Sequence, residues 1–412
     1  MHDVIVIGAG PAGAAVAARL HQHGVRDVLV LDRYEFPRDK PCGGGLTGHI
    51  DEAMAALDLR LDVEHVASPA ATVRFGDFTR TVAMGRPVRV IRRVDYDASL
   101  VAQVRARGVE LRTHVTVDAL AVEHDRVRLK LGGGGELQAR IVVGADGAAS
   151  VVRKHLTGNA KALPHRLFMQ ELPSVRAAPD AAMLYDFTPL RDGLRGYLWI
   201  FPVTGDRVNV GLMHYPSTRR GGPELLRILG AHLAEHGVTL PARGARGWPV
   251  WGYHPKAPVS APRLLTVGDA AGIDGLTGEG IAVAMEQAQL AGDLVARALT
   301  HGEVGFAGYR RALRKATVGR ELALDRHLAR MLYQPGEGWR RWLSLVLYDP
   351  DVLEMYAARV AGTEILADQK LRLWSALFRH VLRSRSRRQQ LMLASGGSAA
   401  ATSQSVASST SS

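Results

Sequence analysis

Three glycines near the start of the chain have the spacing G-x-G-x-x-G. Gly8, Gly10 and Gly13 follow the β-branched run at 4–7 and precede helix-forming residues at 14–20. A glycine turn between a strand and a helix is the arrangement that brings the pyrophosphate of a dinucleotide to a helix N-terminus. The spacing therefore predicts a dinucleotide-binding turn.

The residue types explain what each position of this turn does. Gly8 permits the sharp turn, Gly10 lets the backbone approach a pyrophosphate, and Gly13 lets the helix pack closely on the sheet. Asp32 stands nineteen residues after Gly13, at the end of a second strand over 28–31. Its carboxylate is expected to accept hydrogen bonds from a ribose.

Two later strand patterns also end in a glycine and an acid. GADG at 144–147 follows one of them, and GDAAG at 268–272 follows the other, with a glycine-spaced helix start at Gly278 and Gly280. Simple nicotinamide-binding Rossmann enzymes lack this pair of motifs, whereas FAD needs contacts to its ribitol chain and isoalloxazine ring. Asp269 can bind ribitol hydroxyls, and the helix start can direct N–H dipoles at the ring. We therefore predict FAD as the cofactor.

Composition limits the function classes. The 412 residues suffice for two or three domains, and 47% hydrophobic with 22% charged residues is typical of a soluble globular protein. Cys42 is the single cysteine, so we predict no disulfide, and no spacing of ligands indicates a metal site. The net charge of +12 comes mainly from scattered arginines, and no nucleic-acid-binding motif accompanies it, so nucleic acid is not an expected partner.

The location is predicted from the absence of two sequence signals. The chain begins in a strand without the basic stretch of a signal peptide, and no apolar run is long enough to span a bilayer. A cytoplasmic protein is expected. The RSRSRR run at 383–388 follows an apolar helix and can either attach the protein peripherally to anionic lipid or be a solvated helix end.

Hydrophobic periodicity predicts an α/β (mixed α+β) fold with a Rossmann-like FAD-binding domain, an inserted antiparallel-sheet substrate domain and a helical C-terminal region. The predicted limits are 1–65, 88–158 and 262–305 for the discontinuous FAD-binding domain, 66–87 and 159–261 for the substrate domain, and 306–394 for the helical region. Residues 395–412, rich in Ser, Ala and Thr, are expected to be a disordered tail.

Taken together, these motifs resemble the FAD-dependent oxidoreductase superfamily of p-hydroxybenzoate hydroxylase. GAGPAG at 8–13, Arg93-x-x-x-Asp97, GADG, and GDAAG with LTGEGI at 276–281 match it in order and spacing over about residues 1–300. PCGGGL at 41–46 and YLWIFP at 197–202 are most similar to the geranylgeranyl reductase family. That family commonly has Asn-Pro before LTGEGI, where this chain has Asp274-Gly275.

The resemblance implies an FAD enzyme of isoprenoid or lipid biosynthesis that adds hydrogen across isolated double bonds of a polyprenyl, geranylgeranyl-type substrate. NAD(P)H or an electron-carrier protein would reduce its flavin. The cofactor-binding residues implied at matching positions are Gly8, Gly10, Pro11, Ala12, Gly13, Asp32, Arg33, Cys42, Gly43, Gly44, Arg93, Asp146, Gly147, Gly268, Asp269, Gly278, Gly280 and Ile281.

Three residues are candidates for catalysis. Cys42, within PCGGGL, either supplies a proton to the substrate or is a small residue packed against the isoalloxazine. Tyr197 and Trp199 are two positions apart on a strand and share one face of the sheet, so both point to the substrate cavity or both to a core. Arg93 beside Asp97 can equally be a structural ion pair. Phe168, Met169, Met183, Tyr185, Phe201 and Met213 of the neighbouring strands either line an apolar channel or fill a core.

An alternative is a flavin-dependent halogenase or monooxygenase of the same fold that acts on an apolar or aromatic natural product. Halogenases of this superfamily carry W-x-W-x-I-P, and this chain has Tyr197 at the first position. Lys40 precedes PCGGG without the glutamate expected near a halogenase lysine. A binding module without chemistry is disfavoured because all the flavin motifs are intact.

Overall fold

The computed structural model describes residues 1–158, 164–173, 181–215, 221–241, 244–273, 275–333, 336 and 338–380. Over these residues the chain forms two eight-stranded sheets and eleven helices, so the predicted mixed α/β fold class is confirmed. The predicted tail at 395–412 and the RSRSRR run at 383–388 lie outside the described residues.

The strands are β1 (His2–Ile7), β2 (Val28–Leu31), β3 (Gly45–Leu46), β4 (His65–Phe75), β5 (Phe78–Ile91), β6 (Glu110–Arg112), β7 (Val117–Val122), β8 (Val127–Leu131), β9 (Glu136–Gly144), β10 (His165–Pro173), β11 (Met183–Asp186), β12 (Gly196–Val203), β13 (Arg207–His214), β14 (Arg246–Val250), β15 (Ser260–Ala261) and β16 (Leu264–Thr266). The helices are α1 (Pro11–Gln22), α2 (Ile50–Ala55), α3 (Arg93–Ala106), α4 (Val151–Thr157), α5 (Gly222–Glu235), α6 (Ile281–His301), α7 (Tyr309–Lys315), α8 (Thr317–Leu332), α9 (Trp339–Tyr348), α10 (Pro350–Val360) and α11, described over 370–380.

The first sheet has the strand order β15-β16-β9-β1-β2-β6, and the β7–β8 hairpin joins it through β9. Strands β16, β9, β1, β2 and β6 are parallel. Val4 and Val6 of β1 pack towards α1 and α6, whereas Ile5 and Ile7 pack on the other face. Burial on both faces explains why β1 is a continuous apolar run.

The turn after β1 depends on close contact between backbone segments. Gly8 has φ of +98°, and a Cβ there would overlap the carbonyl oxygen of Ala145 at the end of β9. A Cβ on Gly13 would overlap the carbonyl oxygen of Gly8. Glycine at both positions therefore lets the N-terminus of α1 lie directly against the carboxyl ends of β1 and β9.

The second sheet has the order β14-β10-β13-β12-β11-β4-β5-β3 and is antiparallel except for the parallel pair β11–β4. Side chains alternate between its faces. Leu198 and Leu212 pack with α5 on one face, and Tyr197, Trp199 and Met213 belong to the core on the other face. Phe168 lies on the α5 face, so it is not part of the channel wall proposed for it from the sequence.

The second sheet extends beyond the strand patterns read in the sequence. It includes β3, and β5 continues to Ile91 because it pairs with both β3 and β4 along its length. Residues 45–46 and 88–91, assigned above to the FAD-binding domain, thus belong to the second sheet. The division of the chain into domains stays a prediction.

One buried ionic group joins α10 to α8 and to the loop before α6. Arg359 of α10 forms ion pairs with Glu321 of α8 (2.7 Å), with Asp325 of α8, and with Glu279 in the loop before α6 (2.8 Å). Arg359 is 4% exposed, so these charges are removed from water and must satisfy one another. Among the described helices, none has the length and hydropathy of a membrane span.

Candidate active site

One cavity extends from the carboxyl ends of the first sheet to the inner face of the second. Every predicted cofactor-binding residue except Gly13 lines it, as do the catalytic candidates Cys42, Tyr197 and Trp199. Gly13 lies behind the wall, in backbone contact with Gly8. The structure thus brings together residues that are up to about 270 positions apart in sequence, although the role of each one stays a prediction.

The N-terminus of α1 forms one end of this cavity. Gly10 precedes the helix, and the nearest atom to a Cβ placed there is Arg38 Nη2 at 3.4 Å, so Gly10 borders open space. The first turn of α1 carries no acidic residue, and the N–H groups of Ala12 and Gly13 lie in the turn where a helix provides no internal acceptor. Such a helix start fits a pyrophosphate.

Asp32 is fixed on the cavity wall by the backbone around it. Its Oδ2 accepts a hydrogen bond from Ala9 N (2.8 Å), and its Oδ1 accepts one from Tyr34 N (2.9 Å). Each carboxylate oxygen retains a further lone pair. The side chain can therefore also accept hydrogen bonds from ribose hydroxyls, as predicted for this position.

Asp146 has a buried oxygen that no group in the described residues satisfies. Its Oδ2 accepts a hydrogen bond from Val151 N at 2.7 Å, while Oδ1 has no partner among the described residues. Burial raises the pKa of Asp146 to about 6. A buried acceptor without a partner is costly, so a polar ligand in the cavity would lower the energy of this site. The residues present thus fit FAD.

Lys40 and Asp269 form an ion pair on the cavity wall that the sequence analysis did not predict. Lys40 Nζ lies 2.8 Å from Oδ2 of Asp269, and both residues are mostly buried. The pair joins the loop before PCGGGL to the GDAAG motif. Asp269, expected to bind ribitol, also holds the glycine loop in place.

The PCGGGL loop is fixed to the second sheet by a polar relay. Trp199 Nε1 donates to Asn209 Oδ1 (2.9 Å), and Asn209 Nδ2 donates to the carbonyl oxygen of Cys42 (2.8 Å). A Cβ on Gly43 would lie 3.1 Å from the Phe201 ring, so the loop packs closely on β12. The sequence analysis did not identify Asn209 as a site residue.

Arg93 forms the ion pair with Asp97 that the sequence allowed, and it also lines the cavity predicted to bind the cofactor. Its guanidinium makes a bidentate ion pair with Asp97 (2.7 and 2.8 Å), and Arg38 Nη1 contacts the same carboxylate at 2.9 Å. Burial alone would raise the pKa of Asp97, but Arg93 and Arg38 hold it below its ordinary value. Arg93 also interacts electrostatically with Cys42, so a positive charge lies near the thiol.

Aromatic rings of β11 and β12 form the part of the cavity wall that adjoins the glycine loop. The ring centroid of Tyr197 is 5.7 Å from that of Tyr185 and 6.1 Å from that of Trp199, and Phe201 continues the row at 6.2 Å from Trp199. The Tyr197 hydroxyl donates to the carbonyl oxygen of Thr277, which precedes Gly278. Tyr197 and Trp199 are therefore both core residues of the sheet and wall residues of the cavity.

A second cavity lies next to the first, between the second sheet and the C-terminal helices. Tyr185 and Thr277 line both cavities, so the two meet at these side chains. Nearly all of its other lining residues are apolar: Ala71, Val73, Val82, Met84, Phe187, Leu276, Leu328, Met331, Leu332, Tyr333, Trp342, Leu345, Val346, Val352, Leu353, Tyr356, Ala357, Val360, Leu366 and Leu373. The sequence analysis missed this cavity because strands and helices about 300 residues apart create it.

Comparison with known proteins agrees with this site. The model of the FAD binding domain family matches residues 1–308. Menaquinone reductase of Mycobacterium tuberculosis is 32% identical over 322 residues, which cover 71% of this chain and 76% of the relative. This chain belongs to the geranylgeranyl reductase family of FAD-dependent oxidoreductases. FAD is its cofactor, and the predicted family, cofactor and enzyme class are confirmed.

Other members of the family and fold are more distant. Digeranylgeranylglycerophospholipid reductase 2 of Methanococcoides burtonii is 28% identical over 78% of this chain and 82% of its own. A geranylgeranyl bacteriochlorophyll reductase-like protein from Thermoplasma acidophilum superposes with a TM-score of 0.71 at 20% identity, covering 90% and 95% of the two chains. The flavin-dependent brominase Bmp2 gives 0.67 at 17% identity, covering 94% and 99%. Both structures share the fold.

Substitution of Gly10 tests the helix N-terminus without disturbing the fold. Gly10→Ala places a methyl group where the cavity is open, so we expect FAD affinity to fall by about tenfold or more while apoprotein stability changes by less than about 1 kcal/mol. Titration of apoprotein with FAD and urea unfolding measure the two quantities. Gly133→Ala, where a Cβ would meet nothing within 4 Å, is the matched control. Undiminished FAD affinity in Gly10→Ala would contradict this placement.

Proposed function

We propose that this FAD-dependent reductase hydrogenates an isolated double bond in a polyprenyl chain carried by a lipid. The observation that carries the proposal is the apolar second cavity, which adjoins the first cavity at Tyr185 and Thr277. A long, flexible hydrocarbon suits this shape because it can occupy the apolar cavity while one of its double bonds reaches the aromatic wall.

The free energy available from this arrangement is adequate for binding. Burial of a methylene group contributes about 0.8 kcal/mol, so several isoprene units would supply several kcal/mol without any polar contact. Few polar side-chain atoms line the second cavity, and these belong chiefly to Thr277 and the tyrosines. A compact polar substrate would gain little there. Because the second cavity is almost entirely apolar, we expect it to recognise the polyprenyl chain of the substrate and not the polar carrier group.

The chain's own residues have separable roles in the proposed reaction. Reduced FAD, when bound, supplies two electrons and one proton, so saturation of a double bond needs a second proton. Cys42 is the proposed donor of this proton. It lies on the cavity wall, where its Sγ accepts a hydrogen bond from Gly44 N at 3.4 Å. Tyr197 and Trp199 exclude water and orient the alkene against that wall.

The names of two relatives support a polyprenyl substrate, but they differ in the group that carries the polyprenyl chain. One relative acts on menaquinone and another on a digeranylgeranylglycerophospholipid, so a quinone or a glycerolipid is the proposed carrier. NAD(P)H or a redox protein is the proposed electron donor. The protein is proposed to work in the cytoplasm and to contact the membrane peripherally, where such substrates dissolve.

The halogenase alternative has less support from the site. The brominase shares the fold, but Lys40, the lysine nearest the glycine loop in sequence, is paired with Asp269. Tyr197 occupies the first position of the aromatic motif and donates to Thr277. Halogenation or hydroxylation would require molecular oxygen, so the presence or absence of oxygen separates the two functions.

The proposed function is tested with enzyme reduced by dithionite under anaerobic conditions. We expect menaquinone or digeranylgeranylglycerophospholipid to reoxidise the flavin and to yield a product heavier by two hydrogen atoms in mass spectrometry. Enzyme mixed with the saturated analogue is the control. Failure of both lipids to reoxidise the flavin, or product formation that requires oxygen and halide, would refute the proposal.

Filling the second cavity should affect long substrates selectively. Ala71 faces this cavity from β4, so Ala71→Phe is expected to raise KM for a long polyprenyl substrate by about tenfold or more while a single-prenyl analogue reacts as before. Steady-state kinetics with both substrates measure this. Ala83→Phe is the matched control because Ala83 points to solvent between the cavity-lining residues Val82 and Met84. Equal loss with both substrates would contradict a chain-binding role.

Replacement of Cys42 tests the proton donor. We expect Cys42→Ala to keep FAD bound and reducible but to slow alkene reduction by about 10²-fold, the usual contribution of a positioned acid. Single-turnover reoxidation of reduced flavin by substrate isolates this step. Cys42→Ser, which restores an exchangeable proton, should recover part of the rate. Unchanged turnover in Cys42→Ala would show that the residue only packs in the wall.

A further inference from the structure

Helix α11 has two apolar faces. Leu373, Ala376, Leu377 and His380 pack against α8, α9 and α10, and Ser344 Oγ of α9 lies 3.0 Å from His380 Nε2. On the other side, Leu371, Trp374 and Phe378 are 86%, 67% and 66% exposed. These three residues are spaced by three and four positions, so they form one stripe on the helix surface.

This stripe is unusual in the described structure. The other exposed large hydrophobic side chains are Met1, Tyr34 and Val122, which are far apart in the sequence and share no helix or strand. A contiguous exposed Leu, Trp and Phe on one helix face indicates an interaction surface rather than chance exposure. Trp, Phe and Leu opposite a packed face are also the residues that insert into the boundary between lipid headgroups and acyl chains.

Charge identifies the occupant of this surface. From residue 369 to the end of the chain there are no acidic residues, and the basic residues are Lys370, Arg372, Arg379, Arg383, Arg385, Arg387 and Arg388. Arg379 and Arg372 pair with Asp351 and Glu364, whereas Lys370 forms no ion pair within the described part of the chain. An apolar stripe in a segment of one positive sign is complementary to an anionic bilayer.

The position of α11 connects this surface with the second cavity. Leu373, which lines that cavity, lies on the same helix as Trp374, and Leu366 just before α11 lines it as well. The helix therefore separates the apolar cavity from the exposed stripe by its own thickness. A lipid surface in contact with the stripe would lie next to the wall of the cavity.

We infer that Leu371, Trp374 and Phe378 dock the protein onto an anionic lipid bilayer, with α11 lying in the plane of the membrane surface. The inference rests on the proposed function only in that a membrane-dissolved substrate would then enter the second cavity from the side of α11. Docking itself is a property of the surface and can be measured without turnover.

Co-flotation of the full-length holoenzyme with vesicles tests the docking. Wild-type protein should float with vesicles of phosphatidylcholine and phosphatidylglycerol and bind weakly to pure phosphatidylcholine. The variant Leu371→Ser/Trp374→Ser/Phe378→Ser should lose about tenfold or more in partitioning, and Lys370→Glu should lose a comparable amount to anionic vesicles only. Val122→Ser, an exposed apolar residue on β7, is the matched control and should bind as wild type.

A spectroscopic measurement locates the contact. Brominated lipid should quench tryptophan fluorescence in the wild type, and the quenching should be largely lost in Trp374→Phe, which keeps an apolar ring on the surface. Equal flotation of wild type and the triple variant would overturn the inference. So would a concentration-dependent dimer that the triple variant abolishes without any vesicle binding, because a second copy of the chain would then cover the stripe.

Turnover distinguishes this inference from the proposed function. With substrate dispersed in detergent, the triple variant should reduce it at the wild-type rate, whereas with substrate in vesicles its rate should fall with its binding. Docking without any alkene reduction would leave the surface established and refute the proposed reaction. Alkene reduction without docking would support the proposed reaction and refute the membrane-docking surface.

Discussion

Close contact among three backbone segments at the end of β1 is the constraint on which the site depends. Gly13 touches the carbonyl oxygen of Gly8, and Gly8 touches that of Ala145, so no side chain intervenes between α1, β1 and β9. This contact places the N-terminus of α1 near Asp146, which lies just after β9, and near Asp32, which follows β2, the strand paired with β1 on its other side. The shape of the cavity end predicted to bind the pyrophosphate is therefore a property of the backbone.

The other end of the cavity is held by side chains that join the two sheets. Asn209 accepts from Trp199 and donates to the carbonyl oxygen of Cys42, and Lys40 pairs with Asp269 across the same loop. The glycines of PCGGGL lack the side chains that would fix a conformation. These polar contacts and the pairing of β3 with β5 therefore hold Cys42 in place. Loop position and the chemistry proposed for the thiol thus depend on residues of the second sheet and of the GDAAG motif.

Local sequence patterns predicted the parts of this structure that local physics determines. The turn at Gly8, the helix α1 and the acids at strand ends follow from glycine spacing and hydrophobic periodicity over a few residues. Tyr197 and Trp199 were correctly expected to share a face, because alternation along a strand is also local. Phe168 was misplaced because the choice of face depends on α5, whose packing the strand pattern does not contain.

Features made by distant segments were beyond these patterns. Nothing in the residues around Lys40 indicates a partner at Asp269, and no run of sequence contains the second cavity, which needs β4, β5 and α8 to α11 together. Arg38 likewise reaches Asp97 only because α3 and the loop after β2 meet. The family resemblance ends near residue 300. It includes the PCGGGL and GDAAG motifs near the Lys40–Asp269 pair, but not the helices that line the second cavity.

The buried group around Arg359 shows why those helices belong to the site. Its guanidinium forms ion pairs with Glu321 and Asp325 on α8 and with Glu279 of the LTGEGI segment. The neighbours of Glu279, Gly278 and Gly280, line the first cavity. Separating α10 from that segment would leave buried carboxylates without their counter-ion, which costs more than breaking an exposed pair. The position of the loop beside the cofactor is therefore coupled to the helices that enclose the apolar cavity. Substitutions in α8 or α10 that change the shape of the second cavity are therefore expected to leave the loop at Glu279 in place only if they keep the ion pairs of Arg359.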